Sequence, residues 1–401
     1  MKILYHHRIG SKDGQYVHIT EIINAFESLG HEVILVGPKV MDSQSFGGES
    51  GWVVKLKHYL PRAPYEIIEL AYSFVDYMAM RGVIRDHNPD FIYERYNLYF
   101  VSGVWARRRF HLPYLVEVNS PLKDERSKYG KLSLKRLARW SERRVWRSAD
   151  HIFTVTSVLA ERISEELDSP KNISVTPNGI DPTQFIDLPS RSEAKRRLGV
   201  EHRVVLGFVG FVREWHGLEK VIDLMSERPQ LPLQLVLVGD GPAKRLLERH
   251  ASSCGVSEQL TFVGVVAREQ IADYIAAFDI ALQPSVVSYA SPLKLFEYMA
   301  AGCAIVAPDT NNIREILNHD VNALLFVPGD SNALSAQVAR LASDPALCER
   351  LGESARRTIT DRDLTWTGNA KAVLSVAHKL LEGQSGAGGG IARPRIVRGQ
   401  P

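Results

Sequence analysis

At 401 residues the chain is too long for one hydrophobic core and suits two domains, since single cores split beyond about 250 residues. A hydrophobic content of 45% against 24% charged residues excludes a largely disordered chain. The net charge of +3 excludes a polycation that grips nucleic acid through its phosphates, so no nucleic-acid partner is expected.

The opening MKILYHHRIG lacks the apolar stretch of a signal peptide, and no apolar run approaches the roughly 20 residues that cross a bilayer. Cys254, Cys303 and Cys348 have no CxxC spacing and cannot all pair, so neither a disulfide framework nor a zinc site is expected. A cytoplasmic protein fits, with the option of lying peripherally on the inner face of the cell membrane.

Apolar strand-like runs alternate with helix-period segments along the chain, the pattern of α/β units around parallel sheets. Lys2 to Tyr5 reads as a strand, 9 to 16 as a Gly-containing loop, and Val17 to Leu29 as a helix closed by Gly30. Strands follow at Val33 to Val36, Phe91 to Tyr93, Tyr114 to Glu117 and Ile152 to Val155. Asn178-Gly179 predicts a turn with positive φ. A first domain over 1–180 and a linker over 181–190, with Pro182 and Pro189 and no periodicity, precede a second α/β series over 191–360. Its strands end in Gly, Pro or small residues, as in QLVLVGDGP, QLTFVGVV and DIALQPS. A C-terminal helix over 361–382 is expected to pack back toward the first domain, and the Gly-rich tail 383–401 to be disordered.

The stretch SYASPLKLFEYMAAGCAIVAP, 288–308, carries the chemistry. Ser291 suits a helix N-cap and Pro292 the first helical position. The N-terminus of a helix attracts anions, Lys294 lies in its first turn, and Glu297 follows at i+3 on the same face. Two readings stand: a nucleotide diphosphate with its ribose held by both residues, or a surface ion pair of about 0.2–0.5 kcal/mol on a core helix.

This segment resembles the signature of retaining glycosyltransferase family 4, of GT-B fold, in the form SPLKLFEYMAAG. DGQYVHI, SLGHEV, EVNSP, ADHIFTVTS, VTPNGIDPTQF, GFVREWHG, LVGDGP and FVGVV resemble the same family in the same order. The resemblance implies two Rossmann-like doubly wound domains facing a central cleft, the first for the acceptor and the second for a nucleotide-sugar donor. It implies that Glu297 bonds the donor ribose and that the amides near Pro292 to Lys294 hold the diphosphate, with Ser291, Pro292 and Leu293 as donor-binding residues. Gly239 and Val265 would lie near the nucleotide, Gly14 and His18 near the donor phosphates and the reacting centre, and Asn119 near the sugar. Of the family's paired glutamates the first falls on Tyr289, and the Arg and Lys of its phosphate loop fall on Phe211 and His216, leaving Arg213 and Lys294 to supply positive charge.

Each of these residues also has a plainer reading: Gly14, Gly239 and Gly241 as turn glycines, His18 as a hydrogen-bonded, half-buried side chain, and EVNSP as a rigid turn. Between Lys131 and Arg147 seven Lys or Arg stand against one acid, Glu142, with Leu132, Leu134, Leu137, Trp140 and Val145 among them. That helix either packs its stripe in the core or rests on an anionic membrane surface.

Retaining transfer to a saccharide or lipid-linked acceptor is the implied activity, with no cofactor and no metal. The sole DxD, Asp361-Arg362-Asp363, follows the second domain's strands and reads as incidental. Rival readings are a sugar-nucleotide epimerase or a sugar phosphorylase on the same fold, and a nucleotide-sugar-binding scaffold with weak catalysis.

Overall fold

In a computed structural model of the chain, residues 1–10, 14–38, 60–130, 132–167 and 172–386 are described. They fall into two units, Met1–Pro177 with Trp366–Pro401, and Asn178–Thr365.

Unit 1 runs β1 (Lys2–His6), α1 (Gly14–Ser28), β2 (Glu32–Val36), α2 (Arg62–His87), β3 (Phe91–Arg95), α3 (Ser102–Phe110), β4 (Tyr114–Val118), α4 (Leu122–Lys128), α5 (Lys135–Ser148), β5 (His151–Thr154), α6 (Ser157–Leu167) and β6 (Ile173–Val175). The described strands form a parallel sheet in the order β2-β1-β3-β4-β5-β6. Helix α1 begins at Gly14, so this glycine is helical and not part of the expected loop.

Unit 2 runs α7 (Arg191–Arg197), β7 (Val204–Val209), α8 (Glu219–Glu227), β8 (Leu233–Val238), α9 (Lys244–Ser253), β9 (Leu260–Gly264), α10 (Ile271–Ile275), β10 (Ile280–Leu282), α11 (Leu293–Ala300), β11 (Ala304–Pro308), α12 (Asn311–Arg314), β12 (Leu324–Phe326), α13 (Ser331–Ala342) and α14 (Pro345–Asp361). Its sheet is parallel, β12-β11-β10-β7-β8-β9. Numbered within the unit this is the Rossmann order 3-2-1-4-5-6, whose switch point lies between β7 and β10. Strands such as β8, LQLVLV, are buried along their whole length because helices cover both faces.

The expected linker does not stand apart: residues 178–190 belong to unit 2, with a 3-10 turn at Pro182–Phe185 and Ile180 bridged to Thr365. Neither Asn178 nor Gly179 takes a positive φ, against expectation. The C-terminal helix, α15 (Trp366–Gly386), starts later than predicted because α14 runs to Asp361 and Asp363 turns the chain at φ 47°. It packs on α1, with Trp366 edge-on to His18 at 4.8 Å and Asn369 Nδ2 donating to Pro177 O at 2.7 Å. It extends past residue 383 to Gly386, and 387–401 lie outside the described residues.

Three neighbouring strands of unit 2 end in left-handed glycines: Gly210 after β7 (φ 126°), Gly239 after β8 (φ 130°) and Gly264 closing β9 (φ 85°). A Cβ on Gly239 would stand 2.2 Å from Gly210 O, so the loops there pack backbone on backbone. Gly239→Ala is therefore expected to destabilise unit 2 by about 2–4 kcal/mol through overlap and left-handed strain. A urea midpoint equal to that of the wild type would contradict this close approach.

Candidate active site

The switch point of unit 2 gathers most of the predicted donor residues. After β10, the loop 283–292 is tied from two sides before α11 begins. Asn178 donates from its backbone N to Ser291 Oγ at 3.1 Å and from Nδ2 to Ser291 O at 2.5 Å. Asn312 Nδ2 donates to Ala290 O at 2.6 Å and Val287 O at 3.2 Å. These bonds correct the expected cap: Pro292 is the N-cap, Leu293 the first helical residue, and the Ser291 hydroxyl serves Asn178 instead of capping α11. Asn178 thus has its role through this loop and not through a left-handed turn.

Lys294, in the first turn of α11, places Nζ 3.6 Å from the ring centroid of Phe208 on β7. It also lies against Gly210, where a Cβ would stand 3.5 Å from Nζ. Among the described residues no carboxylate pairs with it, since Glu297, 4% exposed, is engaged by Arg268 instead. The surface-pair reading of Lys294 and Glu297 therefore fails. Desolvation lowers the Lys294 ammonium to about 7, against a smaller opposing pull from Glu297. An ammonium so placed gains most from an anionic ligand that restores the lost solvation.

His216, where the family's lysine falls, packs against the other side of this corner, 4.9 Å from Phe208, and accepts from Arg213 N at 3.1 Å. Burial, then the charges of Lys294 and Arg213, lowers its ring to about 3, so it is neutral at physiological pH. Arg213 is exposed and stacked between Phe211 at 4.8 Å and Trp215 at 4.7 Å, which holds its guanidinium on the loop after β7. Val265, 61% exposed, follows Gly264 at the end of β9. Arg268 went unnoticed in the sequence, although it stands three residues beyond Val265 in FVGVVAREQ.

Unit 1 brings His18 and Asn119 together, on a residue the motif reading passed over. Glu117, near the end of β4, is buried and its Oε1 lies 2.7 Å from His18 Nε2, 2.6 Å from Asn119 Nδ2 and 3.0 Å from Arg95 Nη1. Tyr93 donates to Oε2 at 2.6 Å. Burial alone would raise the Glu117 carboxyl, but His18, Arg95 and Tyr93 together outweigh it and hold it well below the usual carboxylate range. Among the described residues Asn119 Oδ1 is buried without a hydrogen-bond partner. On the sheet's other face His6 Nδ1 meets Glu94 Oε2 at 2.8 Å, with Tyr114 also bonded to Glu94. His7, beyond β1, is lowered to about 4 by burial and then by the charges of His6 and Arg95. Strand alternation would have found Glu117: β4 reads YLVEV, with an acid inside an otherwise apolar buried run.

Helix α5 resolves the basic segment. Val145 and Trp146, with Leu132 and Ala138, lie in the core, as the packing reading expected, but Trp140 is 49% exposed. Arg139 and Arg143 both reach Glu166, and Lys123 lies 3.2 Å from Glu142. A surface depression of about 550 Å³ among Lys123, Glu142, Arg162 and Glu166 holds none of the predicted site residues. The fold also assembles Asp223, His250 and Cys254 on α8, α9 and the residue after α9, a grouping the cysteine spacing did not reveal. His250 Nε2 bonds Asp223 Oδ1 at 2.6 Å, which satisfies both groups without an ion.

Residues 190–358 match the family described as "Glycosyl transferases group 1", and 13–179 match "Glycosyl transferase 4-like domain". Among relatives, the chain is 25% identical over 224 residues to the alpha-D-kanosaminyltransferase of Streptomyces kanamyceticus, 55% of this chain and 58% of that protein. It is 24% identical over 352 residues to the GDP-mannose-dependent alpha-mannosyltransferase of Mycolicibacterium smegmatis, 87% of this chain and 88% of that protein. The chain spans only 58%, 60% and 54% of the first three curated relatives it matches. In three dimensions it is similar to the sucrose-phosphate synthase of Thermosynechococcus elongatus, with TM-score 0.76 and 19% identity over 96% of this chain and 100% of that one. It is also similar to HepE of Anabaena in complex with UDP, with TM-score 0.71 and 18% identity over 96% and 100%. These likenesses establish the GT-B fold.

Glu117→Ala would leave Arg95 buried without its partner and is expected to lower stability by about 3–5 kcal/mol. Arg95→Met in the same chain should restore part of that loss. Chemical denaturation of the wild type, both single variants and the double variant tests the coupling, which strictly additive losses would rule out.

Proposed function

The chain belongs to the family 4 glycosyltransferases of group 1, and on that premise we propose that it transfers a sugar from a nucleotide-diphosphate sugar to a hydroxyl of a saccharide or lipid-linked acceptor. The observation that carries this reading is the desolvated ammonium of Lys294 at the start of α11, set over Phe208 beside Gly210 while Glu297 pairs with Arg268. It is built for a doubly charged leaving group.

In the proposed reaction the acceptor oxygen forms its bond to the anomeric carbon on the face from which the nucleoside diphosphate departs, retaining configuration. Negative charge grows on the β-phosphate, where Lys294, Arg213 and the amides of Pro292's successors Leu293 and Lys294 would stabilise it; such a donor is typically worth about 3–4 kcal/mol in the transition state. His18 and Asn119, held by Glu117, are proposed to serve the transfer step in unit 1. Glu297 is proposed to meet the donor ribose once Arg268 shares or yields it. Gly14, Gly239 and Val265 are proposed to border the donor.

A metal-independent reaction is proposed, because Lys294 and Arg213 supply the positive charge that a divalent ion would otherwise bring. Loss of activity with EDTA and recovery with Mn²⁺ would contradict it. We also propose peripheral contact with an anionic membrane surface through 131–147, a reading supported by the exposure of Lys135, Arg136 and Trp140. Among the described residues no helix is long and apolar enough to cross a membrane.

The complexes of HepE with UDP and the GDP-mannose dependence in the name of the mycolicibacterial relative make UDP and GDP the first nucleotides to test, alongside ADP and dTDP. A thermal-shift screen should single out one base, and Lys294→Ala should weaken its binding by about 1.5–3 kcal/mol, roughly ten- to a hundredfold. Unchanged affinity would remove Lys294 from the diphosphate site.

The pH dependence has a definite sign. A bound diphosphate favours charged Lys294 and raises its titration from about 7, so binding takes up a proton above that pH. Affinity should fall between pH 7 and 9, where the nucleotide is itself fully ionised, and the slope should vanish in Lys294→Met. Calorimetry in buffers of differing ionisation enthalpy reads the proton directly, and a slope shared by wild type and Lys294→Met would refute this assignment.

A further inference from the structure

Helix α2 of unit 1 is amphipathic in the wrong sense for a solvated surface. Ile67, Ile68, Phe74, Val75 and Met78 are exposed, Ile67 at 54% and Phe74 at 60%. At 3.6 residues per turn these positions share one outward arc. Ala71 fills the gap between them, and Tyr72 borders it. Arg81 and Arg85 continue the same row at i+14 and i+18 from Ile67, and the arc carries a single carboxylate, Asp86, at its far end.

The opposite face is locked, so the stripe cannot roll inward. Glu66 accepts from Tyr99 Oη at 2.7 Å, Ser133 N at 2.6 Å and Leu134 N at 2.7 Å. Glu69 takes both ends of the Arg126 guanidinium, at 2.7 and 3.1 Å. Ser73 Oγ donates to Tyr99 O at 2.7 Å and accepts from Val101 N at 3.2 Å, while Met80 and Ile84 lie in the core. A contiguous apolar face of this size on a fixed helix marks a surface that meets something other than water.

Charge identifies the occupant. From Arg62 to Ser148 the chain has seventeen Lys or Arg against ten Asp or Glu, whereas the whole chain nets only +3. The Glu66 bonds also seat the first turn of α2 beside the start of α5, with exposed Lys135 and Arg136. A second copy docked face to face would bring two such cationic surrounds together, while an anionic bilayer complements one.

We propose that α2 is the element that enters the membrane, laying Ile67, Phe74, Val75 and Met78 into the headgroup boundary of anionic phospholipid while Arg81 and Arg85 reach its phosphates. The inference rests on the membrane-surface reading above and moves the main apolar contact from α5, whose stripe is buried apart from Trp140, to α2. The cations of α5 then act only at long range.

Sedimentation of the full chain with phosphatidylcholine vesicles, and with the same vesicles containing phosphatidylglycerol, tests it. The wild type should bind the anionic vesicles, and Phe74→Glu with Val75→Glu should weaken binding by about tenfold or more with no change in melting temperature. In Phe74→Trp, made in the otherwise wild-type chain, emission should shift to the blue when anionic vesicles are added. Full binding by the double variant, with loss only in Lys135→Glu and Arg136→Glu, would keep the membrane reading and overturn the role of α2. Absence of binding by the wild type to either vesicle would overturn both. A wild-type dimer in light scattering that the double variant dissolves, without vesicle binding, would reassign the stripe to a subunit interface.

Discussion

An ammonium partly withdrawn from water, with no carboxylate paired to it among the described residues, is the constraint on which unit 2 depends. Lys294 stands over Phe208 at the close of β7 and beside Gly210, where the φ of 126° favours glycine. Burying a charge in this way is unfavourable unless an opposite charge arrives. The surroundings hold the geometry nonetheless: Asn178 and Asn312 tie the loop before α11, Arg268 removes Glu297 from competition, and Tyr298 Oη accepts from Val209 N at 2.9 Å to fix the strand end. Such preorganisation keeps the site aligned for an anion and spares the protein a rearrangement when one binds.

Unit 1 solves the opposite problem, a carboxylate buried among donors. Burial alone would raise the Glu117 carboxyl, yet His18 of α1 with Arg95 and Tyr93 of β3 keep it ionised, and Asn119 just after β4 donates to it as well. Its consequence for function is orientation: the imidazole of His18 and the amide of Asn119 are both aimed by one oxygen. The Trp366 ring closes the other side of His18, so the returning C-terminal helix takes part in the same alignment.

The surface of unit 1 divides into two kinds of amphipathic helix. Helix α5 carries the more conspicuous sequence pattern, but its apolar residues other than Trp140 pack inward and two of its arginines are committed to Glu166. Helix α2 looks unremarkable in sequence because the first half of its buried side is made of Glu66, Glu69 and Ser73, with Met80 and Ile84 only further on, and its outer side of Ile, Phe, Val and Met. Polar groups can be inside only because each finds a partner there.

Strand and helix order, the two α/β series and the three Val-Gly strand ends were legible in the sequence, because hydrophobic periodicity and glycine's left-handed freedom are local properties. So was the resemblance that carried Lys294, Glu297, His18 and Asn119 into view. What remained hidden was who bonds whom. Asn178 and Ser291 are 113 positions apart, Glu117 gathers His18 from α1, and Glu297 turns to Arg268 instead of its own helix neighbour Lys294. Those pairings follow from parallel crossovers that bring distant strand ends to one edge, and hydrogen-bond partners at that edge are set by distance in space. The sequence by itself therefore determined the fold, its periodic elements and the family, whereas the cap of α11, the Glu117 cluster and the exposed face of α2 were decided only when tertiary packing settled which polar groups could be satisfied inside.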